Sequence, residues 1–144
     1  MKLSDRPDWE ELWARYCEFY NQHLDPVVIE TTWARLHDPA EPMFALVAEH
    51  AGILVGLVQC VLHRGTWAVN NICYLEDLFV ASEMRNHGIG KALIEAVYAR
   101  ADELQCDRVY WLTHEANKTA RALYDQIATR TGFIQYRRDP PRKG

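Results

Sequence analysis

The stretch Tyr74-Leu75-Glu76-Asp77-Leu78-Phe79-Val80-Ala81-Ser82-Glu83-Met84-Arg85-Asn86-His87-Gly88-Ile89-Gly90-Lys91-Ala92-Leu93 decides how this chain is read. Its first half belongs to a β-rich run from Ile72 to Val80. Its second half opens an amphipathic helix in which Ile89, Ala92, Leu93, Ala96, Val97, Ala101 and Leu104 form one apolar stripe. Between them lies a turn carrying Arg85, Gly88 and Gly90. The first turn of a helix offers main-chain N–H groups without helical acceptors, at the positive end of the helix dipole. Glycine lets an anion approach that backbone closely. Arg85 adds a cation capable of charge-assisted contacts. The pattern predicts an anion cradle.

Two common anion sites fail on spacing. A dinucleotide fingerprint needs a third Gly or Ala at position 93, where Leu93 stands; a P-loop needs GxxxxGK[ST], and here Ala92 follows Lys91. Taken alone, the two glycines also fit a plain turn with no ligand.

Working outward, Asp8 and Glu11 resemble a capping box for a first helix, along which Trp9, Leu12, Trp13, Tyr16, Cys17 and Tyr20 recur at helical spacing. A shorter helix is expected from Val28 to Leu36, ended by Asp38-Pro39. Met43 to Glu49 and Ile53 to His63 read as a hairpin around His50-Ala51-Gly52. Beyond the long helix, Arg108 to Thr113 reads as a strand, Asn117 to Ala128 as a helix, and Phe133 to Arg137 as a closing strand. No repeat or linker interrupts this order. One α/β domain over residues 1–144 is expected.

Composition narrows the function. At 144 residues with 49% hydrophobic and 25% charged side chains, the chain can bury a core without disulfides or metal. Cys17, Cys60, Cys73 and Cys106 are scattered with no CxxC pair, so buried free thiols are expected. His114-Glu115-Ala116-Asn117-Lys118 begins like a zinc-protease motif but has lysine in place of the second histidine, and no metal site is expected. The longest apolar run, Ile53 to Val58, is far too short to span a bilayer. A net charge of −4 speaks against a nucleic-acid partner and suits a cationic substrate. A soluble cytoplasmic protein is expected. The basic end, Arg137-Arg138 and Arg142-Lys143, reads as a solvated tail.

Arg85-x-x-Gly88-x-Gly90 has the R-x-x-G-x-G form of the GCN5-related N-acetyltransferase (GNAT) superfamily, whose loop binds the coenzyme A pyrophosphate through backbone amides. Downstream, Asn117-Lys118-Thr119-Ala120-Arg121-Ala122-Leu123-Tyr124 followed by Gly132-Phe133 resembles the family's N-x-x-A-x-x-L-Y…G-F. Tyr74-Leu75-Glu76-Asp77 is similar to polyamine N-acetyltransferases, and Tyr74 to Phe133 resembles the branch with fungal histone and D-amino-acid acetyltransferases. The likeness extends from about Phe44 to Tyr136.

The resemblance implies a central mixed, mostly antiparallel twisted sheet of six to seven strands, flanked by helices and splayed where the cofactor enters. It implies acetyl-CoA as cofactor, held by main-chain groups of Leu78, Phe79 and Val80, by Arg85, Asn86, His87, Gly88, Ile89, Gly90 and Lys91, and by Asn117, Ala120 and Tyr124. Glu76 would be the general base and Tyr124 the acid that protonates the departing thiolate. Chemistry agrees, because an alkyl ammonium titrates near 10 and must lose a proton before it attacks. Adjacent strand residues point to opposite faces, so only one of Glu76 and Asp77 can serve one cleft. A homodimer is the family's habit. The acceptor stays open between a small amine or polyamine, which the acidic balance favours, and a lysine peptide; a non-catalytic acyl-CoA-binding module is the rival class. Trp33, Trp67, Trp111 and the first helix's tyrosines are candidates for an amine pocket, or plain packing aromatics.

Two features depart from the family's pattern. Seven residues separate Tyr124 from Gly132, more than is usual there, and Lys2-Leu3 leaves little room for a first strand.

Overall fold

The computed structural model describes residues 1–142, so Lys143 of the basic end lies outside the described residues. The chain divides into two compact units, Met1–Leu112 and Thr113–Gly144.

The first unit opens with a 3₁₀ turn, Leu3–Asp5, and helix α1, Arg6–Phe19. Pro7 sits in its first turn, where a missing N–H costs nothing. The cap is Asp5 rather than the expected Asp8, which falls inside the first turn. Pro7 explains the shift, because its fixed φ favours a helix that starts three residues earlier than the capping pattern suggested. Helix α2, Pro26–Leu36, starts under an Asp25 side chain that accepts from the Val27 amide at 2.9 Å. An aspartate cap followed by Pro26 at the first helical position sets its beginning, whereas Asp5 of α1 makes no side-chain cap bond.

Strands β1 (Met43–His50) and β2 (Ile53–His63) form an antiparallel hairpin in which His50 faces Ile53. Its two-residue loop needs positive φ at both positions, and Ala51 and Gly52 supply it at φ 51° and 77°. Strand β3, Ile72–Val80, lies antiparallel on β2, and β4, Val109–Tyr110, runs parallel to β3 through Cys73↔Val109 and Tyr74↔Tyr110. Helix α3, Ile89–Glu103, connects them.

Alternation along β2 tells which helix covers which face. Gln59 receives the Trp9 indole from α1, whereas a Cβ at Gly56 would lie 3.0 Å from Leu93 and 3.1 Å from Ile89 of α3. Positions three apart on a strand face opposite ways, so α1 and α3 cover opposite faces. Residues Leu54 to Cys60 are buried throughout, as a strand covered on both sides must be. Trp9, Leu12, Trp13 and Cys17 fill the α1 side with Leu57 and Phe79, and Leu93, Ile94 and Val97 are the buried stripe of α3. Cys17, Cys60 and Cys73 are buried free thiols, and Cys106 is partly exposed.

The second unit holds helix α4, Lys118–Ile127. The expected strand over Phe133–Arg137 is not formed, and residues 129–142 have no regular structure. Phe133, Ile134 and Tyr136 are 93%, 76% and 90% exposed, so the alternation that suggests a strand has no ladder to join. The extra residues after Tyr124 therefore lengthen the loop, because α4 stops at Ile127. The sheet among the described residues has four strands rather than six to seven, mixed in sense and flanked by helices as expected. The expectation fails at both ends: the first residues coil into α1 and the last ones find no partner strand.

Candidate active site

The sheet opens where β4 ends. The β3–β4 ladder has two pairs, while β3 continues through Leu75 to Val80. A strand's N–H and C=O groups alternate between its two neighbours. Those of Leu75–Val80 that point away from β2 consequently face no strand among the described residues; along the predicted Leu78, Phe79 and Val80 they alternate with groups that bond to β2. The side chain of Phe79 is 8% exposed and packs edge-on against Tyr16, so only its main chain can serve a ligand.

The same strand leads into the cradle. After a 3₁₀ turn at Ser82–Met84, Asn86 adopts φ 65° and Gly88 φ 76°. His87 Nδ1 donates to the Arg85 carbonyl at 3.0 Å and closes the turn. The first helical bond runs from the Ala92 amide to Gly88 O, at 3.0 Å. The amides of Ile89, Gly90 and Lys91 therefore have no intrahelical acceptor. A Cβ placed on Gly88 would meet nothing within 4 Å, so the space beside Gly88 is open. A diphosphate fits that donor set and that space. Arg85 is exposed beside it, its Nε 3.4 Å from Val80 O and its guanidinium 6.0 Å from the Phe19 ring centre. Lys91 reaches Glu95 at 3.9 Å on the helix surface.

Glu76 and Asp77 separate as the strand rule requires, by an added device. Gln59 pairs with Asp77 and Cys60 with Leu75, which leaves Glu76 as the extra residue of a β-bulge. Glu76 is exposed, at the point where β4 has just stopped. Asp77 points to the α1 side, where Gln59 Nε2 donates to its Oδ2 at 2.9 Å and the Tyr16 hydroxyl is a further partner. Burial pushes the Asp77 carboxyl up to about 6, helped by the Glu76 charge and opposed by the Gln59 and Tyr16 hydrogen bonds. Burial likewise pushes the Tyr16 phenol up, with the Asp77 charge adding.

The second unit carries the other motif on one helix. Asn117 caps α4, and its Nδ2 lies 3.5 Å from Thr113 Oγ1; Arg121 Nη1 donates to Glu115 O at 2.7 Å. Asn117 and Tyr124 are seven residues apart, almost two full turns, and so share a face with Ala120 between them.

Of the aromatic candidates, Trp33 packs on Trp9 at 4.9 Å and belongs to the core, while Trp67 is 98% exposed on the β2–β3 loop. Trp111 lies 6.3 Å from Tyr98. Reading the sequence missed Gln59, although one glutamine within the apolar run Ile53 to Val61 was a signal that something polar faces it.

An open strand edge running into a helix N-terminus that is free to bind anions defines a site for an extended ligand with phosphate at one end. That is the architecture of an acyl transferase using a phosphate-tailed carrier. Comparison with known proteins makes it particular: the acetyltransferase (GNAT) family matches residues 6–128, and the chain belongs to that family. It is similar to a D-amino-acid N-acetyltransferase of Saccharomyces cerevisiae, 36% identical, over 94% of this chain and 86% of that one. A ribosomal-protein-alanine N-acetyltransferase from Brucella melitensis superposes with a TM-score of 0.79 at 23% identity, over 96% and 95% of the two chains. An aminoglycoside N-acetyltransferase solved with CoA gives 0.80 at 17%, over 96% and 91%. The two structures share the fold. The chain is an N-acetyltransferase, and acetyl-CoA is the donor its family uses.

Proposed function

We propose that this enzyme moves the acetyl group of acetyl-CoA onto the primary amine of a small molecule by direct attack, with no covalent enzyme intermediate. The observation that carries the reading is the bulge: it presents the exposed Glu76 carboxylate where the sheet parts, on the strand that leads into the cradle. Glu76 takes the proton from the attacking ammonium, directly or through a water, for a gain of roughly 10²–10⁴. Main-chain groups of Leu78, Phe79 and Val80 hold the pantetheine arm, and an amide aimed at the thioester oxygen would supply about 3 kcal/mol. The amides from Asn86 to Lys91, with Arg85, grip the diphosphate. The family resemblance assigns Asn117 and Ala120 to the arm and makes Tyr124 the acid that returns a proton to the leaving sulfur, a phenol being close enough in acidity to a thiol to donate.

A small amine or polyamine acceptor is favoured by the net charge of −4. The yeast relative's name adds amino acids to that class. No helix among the described residues is long and apolar enough to cross a membrane. The reading includes one catalytic domain over residues 1–144, in a cytoplasmic homodimer; the exposed Phe133, Ile134 and Tyr136 supply apolar surface for a second copy. An acetylation screen against polyamines, amino acids, aminoglycosides and lysine peptides tests the acceptor class. Turnover of lysine peptides alone would overturn the small-amine reading.

A further inference from the structure

The network behind Glu76 has a direction fixed by chemistry. An indole N–H can only donate, so Trp9 Nε1, 2.7 Å from Gln59 Oε1, determines which end of the glutamine amide is oxygen. The Nε2 end must then point the other way, and it donates to Asp77 at 2.9 Å. Gln59 is 4% exposed and Trp9 fully buried, so neither side chain can turn to water instead. Tyr16 adds its hydroxyl from α1. The Asp77 carboxylate is held from a helix and from the neighbouring strand at once.

That grip bears on the bulge. In a regular strand residues 75 and 77 share a face. Here Leu75 pairs with Cys60, on the α3 side, and Asp77 with Gln59, on the α1 side. Glu76 is the residue that absorbs the difference. Sliding β3 by one residue would carry Asp77 to the apolar α3 face and draw Glu76 into the ladder.

We infer that Asp77 is a positioning residue for Glu76: the chain Trp9–Gln59–Asp77 pins the register break that holds the Glu76 carboxylate out of the sheet. The inference rests on Glu76 being the base, and it assigns Asp77 no contact with the reacting atoms.

A double-mutant cycle in the full-length enzyme tests it, with acetyl-CoA and whichever polyamine or amino acid the wild type acetylates fastest. Asp77→Leu is expected to lower kcat by roughly tenfold, within the range for residues coupled through one network, with KM for acetyl-CoA unchanged. Asp77→Asn, which keeps an acceptor for Gln59, should restore kcat to within about threefold of wild type. In the Glu76→Gln background, Asp77→Leu should cost nothing more, because its effect passes through Glu76. Multiplying effects would overturn the positioning role while leaving Glu76 as base. An Asp77→Asn loss as deep as that of Glu76→Gln would overturn it too, by making Asp77 the base. If Glu76→Gln alone leaves kcat unchanged, the underlying reading falls and the inference with it. Should Asp77→Leu fail to fold, Gln59→Met cuts the same chain one step away, and the same non-additivity with Glu76→Gln is required.

Discussion

Glu76 and Asp77 are neighbours in sequence, yet Asp77 faces Gln59 across the ladder and Glu76 faces no residue of β2 at all. The first therefore stands exposed at the opening of the sheet, and the second is tied down behind it. This division gives each carboxylate a separate experimental signature.

Glu76→Gln should lower kcat by roughly 10²–10⁴ with little change in melting temperature, because an exposed bulge residue has no packing to lose. Steady-state kinetics beside a melting curve checks both halves. A loss in stability equal to the loss in activity would contradict the assignment.

Asp77 gives a pH dependence of stability. Its carboxyl is raised from 3.8 to about 6 in the folded protein. The folded state thus holds this proton more tightly than the unfolded chain. The stabilisation is complete below the unfolded value and is lost as pH rises through about 6. Asp77→Asn has no such loss, so its stability relative to wild type should rise between about pH 4 and pH 7, by about 1–3 kcal/mol. Denaturant unfolding of both proteins across that range measures it. A constant difference would show that Asp77 titrates normally.

At Gly88, φ is 76° and an added Cβ would meet no protein atom within 4 Å. Gly88→Ala should cost about 1–2 kcal/mol of stability, from the left-handed backbone alone. A diphosphate over the cradle would meet the new methyl, so KM for acetyl-CoA should rise at least about tenfold, in excess of what that strain explains. Gly52→Ala is the control, being at φ 77° with equal space but on the β1–β2 hairpin. It should show the stability loss without the change in KM.

Tyr124→Phe should lower kcat by roughly 10²-fold and leave KM for acetyl-CoA within about threefold, as steady-state kinetics would show. A change in KM alone would make Tyr124 a binding residue.

The hairpin, the third strand, the long helix and the glycine turn before it were legible because each rests on local chemistry: β-rich runs, an apolar helical stripe, and a glycine where positive φ is needed. The start of α1 moved to Asp5 because Pro7 outweighed a plausible capping box. The bulge at Glu76 was not legible, since a bulge exists only relative to the partner strand, and nothing in Tyr74-Leu75-Glu76-Asp77 states its register with Gln59 and Cys60. The Trp9–Gln59–Asp77 chain spans three elements and has the same origin. Phe133 to Tyr136 shows the converse limit: its residues favour a strand, but a strand requires a ladder, and the described chain offers it none.

In the proposed reaction, main-chain amides at the start of α3 receive the diphosphate of acetyl-CoA. Titrating labelled protein with coenzyme A and following its amide resonances tests this directly. The largest shifts are expected at Asn86 through Lys91, together with a thermal stabilisation near 2.7 kcal/mol at a hundredfold excess over Kd. Saturable binding that moves other amides and leaves Gly88, Ile89 and Gly90 unshifted, or no binding at all, would contradict it.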